Sequence, residues 1–148
     1  MPEARPSVVL GLDFGLRRIG VASGNTLTGT ARPLATVHHQ GEPWPALERL
    51  IREWRPGRII IGLPLRADGS DSDISRAVRA FGRELEQRHP DLQLQFQDER
   101  HSSQAAGSRF VEARRSGQAR RKDAANLDSV AAALIVESWL AERALDPA

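Results

Sequence analysis

Residues 7–14, SVVLGLDF, are apolar at almost every position, and this stretch sets the frame for the rest of the chain. A strand reads this way when both of its faces are buried. Val8, Leu10, Leu12 and Phe14 point one way, and Val9, Gly11 and Asp13 point the other. A second apolar strand, IGVAS at 19–23, follows after the short LRR segment, which suits a hairpin. The discordant residue is Asp13. A buried, unpaired carboxylate is costly, so it needs a basic partner, with Arg17 and Arg18 close in sequence, or a cation.

The remaining pattern extends a sheet. A third strand is predicted within 31–39, with Pro33 near its start or at an edge. A helix is predicted over 43–54, with Trp44, Leu47, Leu50, Ile51 and Trp54 on one face, and Pro56-Gly57 breaks it. RIIIGL at 58–63 reads as a central parallel strand. A helix over 73–88 carries Ile74, Val78, Phe81 and Leu85 along one stripe. LQLQFQ at 92–97 alternates strictly, as a half-buried strand does. A helix from Ser102 or Ser103 to about 113 is predicted next, then a polar RRSGQARR loop. The last helix is predicted over 123–144, with Leu127, Val130, Ala131, Leu134 and Ser138 on one face, widened by Ile135 and Trp139. Hairpin-linked strands first and helix-linked strands later imply an α/β fold: a mixed five-stranded sheet, an antiparallel meander plus parallel strands, flanked by helices.

At 148 residues the chain is expected to form a single domain, 1–148. It has no cysteine, which excludes disulfides and thiolate metal sites. No apolar run is long enough to span a bilayer, and the first residues do not read as a signal peptide. A cytoplasmic protein with no membrane partner is the simplest expectation. Net charge is only +2, but its distribution is uneven. From Arg100 to Lys122 there are seven basic residues against one acid, Glu112. Such a segment suits phosphate or nucleic acid.

Two further acid sites change the reading of Asp13. Asp98-Glu99 closes the strand LQLQFQ, and Asp128 sits one residue off the apolar face of the last helix. If the strands are neighbours and that helix packs across their ends, three carboxylates converge. They would repel one another without a cation, and hard oxygen ligands suit Mg²⁺ or Mn²⁺. Two such ions would be the arrangement for phosphodiester hydrolysis.

The stretches GLDFGLRRIGVAS, IIIGLPLRADGSDSD, DERHSSQAA and KDAANLDSVAAALIVESWL together resemble the YqgF (RuvX) family. These are nucleases for the 5′ end of pre-16S ribosomal RNA, related to Holliday-junction resolvases. The resemblance covers essentially the whole chain. It implies a ribonuclease H-like fold, and it implies Asp13, Glu99 and Asp128 as catalytic, metal-binding acids. By strand alternation only one of Asp98 and Glu99 should point into the site. It places Arg17 and Arg18 beside the first acid, where phosphate would arrive. With Arg100, Arg114, Arg115, Arg120, Arg121 and Lys122 they make up the expected nucleic-acid contacts. The expected partner is pre-rRNA, with ribosomal particles in attendance and branched DNA as the alternative. The chain is expected as a monomer or homodimer.

The pattern is broken in two places. Asn25 stands where the family usually has an Asp, which would weaken metal binding if that position is a ligand. His101 follows DER, where an apolar residue is usual; it could shuttle a proton but is more often exposed. Other readings fare worse. GLPLRADGSDSD is not a calcium loop, because Asp73 and Arg79 occupy the positions that need Gly and a bidentate Glu. It reads as a loop near substrate, with Ser70 or Ser72 capping the next helix. His38-His39 has no spaced partner for zinc and reads as an exposed strand end. A nucleotide-phosphate enzyme of the actin type would need two lobes. A non-catalytic nucleic-acid-binding module remains as an alternative.

Overall fold

The computed structural model describes residues 5–101 and 127–145. Five strands form one sheet: β1 (Arg5–Phe14), β2 (Arg18–Asn25), β3 (Thr30–His38), β4 (Pro56–Leu63) and β5 (Gln93–Asp98). Their order is β3-β2-β1-β4-β5. The first three pair antiparallel; β4 joins β1, and β5 joins β4, in parallel. Among the described residues three α-helices accompany them: α1 (Trp44–Trp54), α2 (Asp73–Arg88) and α3 (Leu127–Leu145). The expected mixed sheet is therefore present. The predicted helix from Ser102 or Ser103 and the RRSGQARR loop lie outside the described residues.

Strand β1 is central, and its alternation builds two cores. On one face Leu10 and Leu12, with Ile19, Val21, Ile59 and Ile61, pack under α1 and α2. Those helices contribute Trp44, Leu47, Ile51, Val78, Phe81 and Leu85, and the rings of Trp44 and Phe81 stack at 5.3 Å. On the other face Val9 and Ile60 pack under α3, against Ile135, Val136, Trp139 and Leu140. Each such buried aliphatic side chain contributes roughly 1.5–3 kcal/mol.

Local signals end the elements where the chain chemistry requires. Pro43 caps α1, with Pro45 within its first turn, where no N–H is needed. Ser72 caps α2, accepting a bond from the Ser75 N–H, while the Ser75 hydroxyl accepts from the Ser72 N–H. Pro33 falls on the edge strand β3, at a register shift opposite Val21 and Ala22.

Two expectations need correction. Pro56 and Gly57 do not separate α1 from the next strand; they begin β4. The break falls at Arg55, in the left-handed conformation, and a proline without an N–H is tolerated as a first strand residue. The buried face of α3 is also rotated from the predicted one. Ser129, Ala132, Ala133, Ile135, Val136, Ser138, Trp139 and Leu140 are buried, whereas Leu127, Val130, Ala131 and Leu134 are half-buried. The run VAAALIV is apolar on every side of a helix, so periodicity could not choose the face. The sheet chooses it: a Cβ on Gly11 would overlap Val136, so small residues in β1 let α3 settle close. Among the described residues no helix is long and apolar enough to cross a membrane.

Candidate active site

Chain direction alone gathers the first two acids. Strands β1, β4 and β5 are parallel, so their carboxyl ends share one edge of the sheet. Asp13 lies at the end of β1, and Glu99 follows β5 in a short 3₁₀ turn, Glu99–His101. α3 supplies the third acid, because Asp128 is its second residue.

Two glycines make the room. In the β1–β2 ladder Asp13 is directly opposite Gly20. A Cβ on Gly20 would run into the Asp128 carbonyl, so the start of α3 lies on that glycine. On the other side the β1–β4 register runs Leu12 to Ile61, which sets Gly62 beside Asp13. A Cβ on Gly62 would stand 3.2 Å from the carboxyl carbon of Glu99. Gly20, Asp13 and Gly62 thus form a row across three strands, with the other two acids over the glycines. Neither glycine was singled out from sequence. Their signal was present: each interrupts an apolar strand where side chains otherwise fill a core.

The electrostatics follow from that proximity. Burial pushes the Asp13 carboxyl up to about 6, and the negative charge of Asp128 adds to the effect. Burial pushes Glu99 up to about 7, followed by the charges of Asp13 and then Asp98. Arg18 does not relieve Asp13. Its Nε lies 3.2 Å from Asp128 Oδ2, an ion pair whose geometry is not that of a hydrogen bond. Among the described residues Asp13 has no basic group at ion-pairing distance. As the side chains stand, no set of three His, Asp or Glu among the described residues closes around one ion-sized point. The acids are electrostatic neighbours, not a finished cage.

Asp98 ends β5 and Glu99 begins the 3₁₀ turn, and the two carboxyls have different surroundings. Asp98 is held by Arg100, whose Nη2 lies 2.7 Å from its Oδ2 and whose Nε reaches both carboxylate oxygens at 3.1 Å. Arg100 Nη1 also donates to the Ala67 carbonyl at 3.2 Å, tying the loop after β4 to the end of β5. That guanidinium is therefore a clamp between two elements. The loop satisfies its own acids. Asp68 accepts from the N–H and hydroxyl of Ser70, and Asp71 accepts from Ser75 and Arg79. These bonds hold both carboxyls below the usual range. Nothing in this arrangement suggests a calcium loop, and Ser72 is the capping serine.

The RuvX family model, described as Holliday junction resolvase, matches residues 7–142. The chain belongs to the RuvX family. It is 47% identical over 147 residues to a protein of Xanthomonas euvesicatoria pv. vesicatoria named "Putative pre-16S rRNA nuclease", covering 95% of this chain and 94% of that one. A Xanthomonas oryzae pv. oryzae protein of the same name is 45% identical, with the same coverage. The fold is similar to that of Thermus thermophilus RuvC in complex with a Holliday junction substrate, with a TM-score of 0.56 over 93% of this chain and 95% of that one. At 16% identity this likeness is one of fold, and it bears out the ribonuclease H-like expectation.

The RuvX stretches GLDFGLRRIGVAS and IIIGLPLRADGSDSD form β1–β2 and β4 with its loop, the two sides of the acid row. The concern over Asn25 is removed by its position. Asn25 pairs with Val8, five residues down β1 from Asp13, or roughly 17 Å at the usual strand rise. Its Oδ1 accepts from the N–H groups of Leu27 and Thr28 and shapes the β2–β3 turn. An Asp there would do the same. Arg17 is exposed on the β1–β2 turn. Arg114, Arg115, Arg120, Arg121 and Lys122 lie outside the described residues. His101 ends the 3₁₀ turn, and its side chain is likewise outside them.

Proposed function

We propose that this RuvX chain is a divalent-metal-dependent nuclease that hydrolyses phosphodiester bonds at the 5′ end of pre-16S ribosomal RNA. The observation that carries this reading is the row Gly20, Asp13, Gly62, with Asp128 and Glu99 over its two glycines. Two half-buried carboxyls are pushed up to about 6 and about 7, first by burial and then by the negative charge of their neighbours, which a bound cation would offset. The donors are all carboxylate oxygens, which fit Mg²⁺ or Mn²⁺. Asp13, Glu99 and Asp128 would hold the metal. When bound, it would lower the pKa of a water and stabilise the leaving oxygen.

The chain's own groups supply the rest. Arg18 offsets part of the Asp128 charge through their ion pair. The Arg100 clamp keeps Asp98 occupied, so Glu99 alone of that pair faces Asp13. Arg17, exposed on the turn that follows β1, would take a substrate phosphate. The run from Arg114 to Lys122 adds sequence-independent attraction for the backbone. This reading puts the protein in the cytoplasm, where ribosomal particles would present the substrate.

The names of the relatives support RNA, and the family description supports branched DNA as the second reading. The test is cleavage, in Mg²⁺ or Mn²⁺, of a labelled RNA spanning the pre-16S 5′ end and of a labelled four-way DNA junction. Cutting of the RNA that Asp13→Asn abolishes is the expected result. Cutting of the junction alone would transfer the assignment to DNA. A parent protein that leaves both substrates whole, or an Asp13→Asn protein that still cuts, would overturn the reading.

A further inference from the structure

The turn between β1 and β2 is held from outside by His39, which sits just past the end of β3. The His39 backbone N–H donates to the Arg17 carbonyl at 2.9 Å. Its ring nitrogen Nε2 lies 3.0 Å from the Gly15 carbonyl oxygen, and its Nδ1 accepts from the Gly41 N–H at 3.0 Å. A carbonyl can only accept and a backbone N–H can only donate, so both contacts demand the same neutral tautomer, with the proton on Nε2. Gly41 makes this possible by adopting φ +103°, a backbone conformation suited to glycine. The ring of His39 also packs near Phe14 at 6.3 Å, and Phe14 packs on Phe81 of α2 at 4.7 Å. One residue therefore pins both ends of Gly15-Leu16-Arg17.

That pinned turn presents an unusual pair. Leu16 is 67% exposed, one of two large hydrophobic residues held this far into solvent among the described residues. Beside it is the exposed Arg17, and the two come three and four residues after Asp13. Loops that need only connect strands are polar and free to move. Here an exposed apolar residue and an exposed cation follow one another on a turn whose backbone is held at both ends, directly after the strand that carries Asp13.

We propose that the Gly15–Arg17 turn is a substrate-contacting element held by His39 as a positioning residue. In it Leu16 packs against the sugar or base of the nucleotide whose phosphate Arg17 contacts. This rests on the nuclease reading for the identity of the substrate. Apolar side chains pressed on nucleotides add affinity that salt does not screen, whereas a guanidinium on phosphate adds affinity that salt does screen. The two contributions can therefore be separated.

The experiment compares the parent with His39→Ala, His39→Gln, Leu16→Ser and Arg17→Ala. It reads the equilibrium binding of a labelled RNA across a salt series, and KM and kcat for its cleavage. Leu16→Ser is expected to weaken binding about fivefold with an unchanged salt slope, and Arg17→Ala to lower the slope by about one unit. His39→Ala should reproduce both effects, raising KM with kcat within about twofold of the parent. His39→Gln should recover most of the loss, because its amide Nε2 can donate to the Gly15 carbonyl. Nitrogen NMR of the parent imidazole at neutral pH should find the proton on Nε2. Binding by Leu16→Ser equal to the parent's would remove Leu16 from the interface. Equal losses in His39→Ala and His39→Gln, or a proton on Nδ1, would overturn the positioning role. A parent that binds but does not cut leaves the binding arms intact and fails the nuclease reading alone; a parent that cuts with the substitutions silent fails the turn alone.

Discussion

The carboxyl carbon of Glu99 lies 3.2 Å from the point a Cβ on Gly62 would occupy. That relation predicts how Gly62→Ala fails. The added methyl also meets the end of the Ile135 side chain, and both neighbours are flexible enough to give way. Stability should fall by only about 1 kcal/mol, the low end for overpacking. The Glu99 carboxyl, however, must shift by a few tenths of an ångström, and cleavage should drop by roughly tenfold, because reacting groups tolerate little displacement. Thermal melts beside kcat measurements check this. A cleavage loss that merely tracks a lowered Tm would contradict it.

Gly20→Ala should fail differently. Its methyl would strike the backbone of Asp128, which cannot rotate aside. α3 would have to lift from β2, with loss of about 3 kcal/mol or more and of the Arg18–Asp128 pair. Denaturant unfolding with an unchanged m-value and a lower midpoint is the expected result.

Asp13→Asn should abolish cutting and stabilise the metal-free fold. The native carboxylate is half-buried, faces the charge of Asp128, and lacks a basic partner among the described residues. Replacing it by a neutral isostere removes the cost of burying that charge and, second, the repulsion from Asp128. The gain at pH 8 in chelator should be on the order of 1–2 kcal/mol after allowing for solvent screening. A less stable Asp13→Asn protein under those conditions would mean that the acid row is not a charge cluster.

The same charges set a pH dependence. Asp13 at about 6 and Glu99 at about 7 hold their protons more tightly in the folded chain than in the unfolded one. Folding then takes up protons between the ordinary carboxylate range and these values, so ∂ΔG/∂pH of unfolding is negative there. In chelator the fold should lose stability as pH rises from about 4 to about 8, by a few kcal/mol at most for the coupled pair. Excess Mn²⁺ should flatten that fall by binding the ionised form. Melting temperatures across pH, with and without Mn²⁺, give the comparison. Curves that coincide with and without metal would count against metal binding at these acids.

Much of this architecture was legible in the sequence because it rests on local patterns. An apolar β1, an alternating β5 and capped, amphipathic α1 and α2 each dictate their own element. What was illegible depends on partners distant in sequence. The face of α3 was not readable because apolar residues surround the helix, and glycines in β1 and β2 decide where it lies. Arg18 was a candidate partner for Asp13, yet it binds Asp128, a residue far along the chain that only the fold brings near. Gln97 alternates as a surface residue but is 4% exposed in the folded chain. From sequence His39 reads as a strand end, because its partners, Gly15 and Gly41, carry no side chain to announce them.

The basic segment offers a test that needs no metal. Arg120, Arg121 and Lys122 stand in the most cationic part of the chain. Each cation on a phosphate releases a counterion, contributing about 0.7 to the salt slope for single strands and about 0.9 for duplex. The triple alanine variant should lower the slope by roughly two units and weaken binding to all sequences alike. Asp13, Glu99 and Asp128 are all retained in this variant, so kcat at saturating substrate should stay near the parent's while KM rises. A drop in kcat with an unaltered slope would mean that these residues act at the acids and not on the backbone of the substrate.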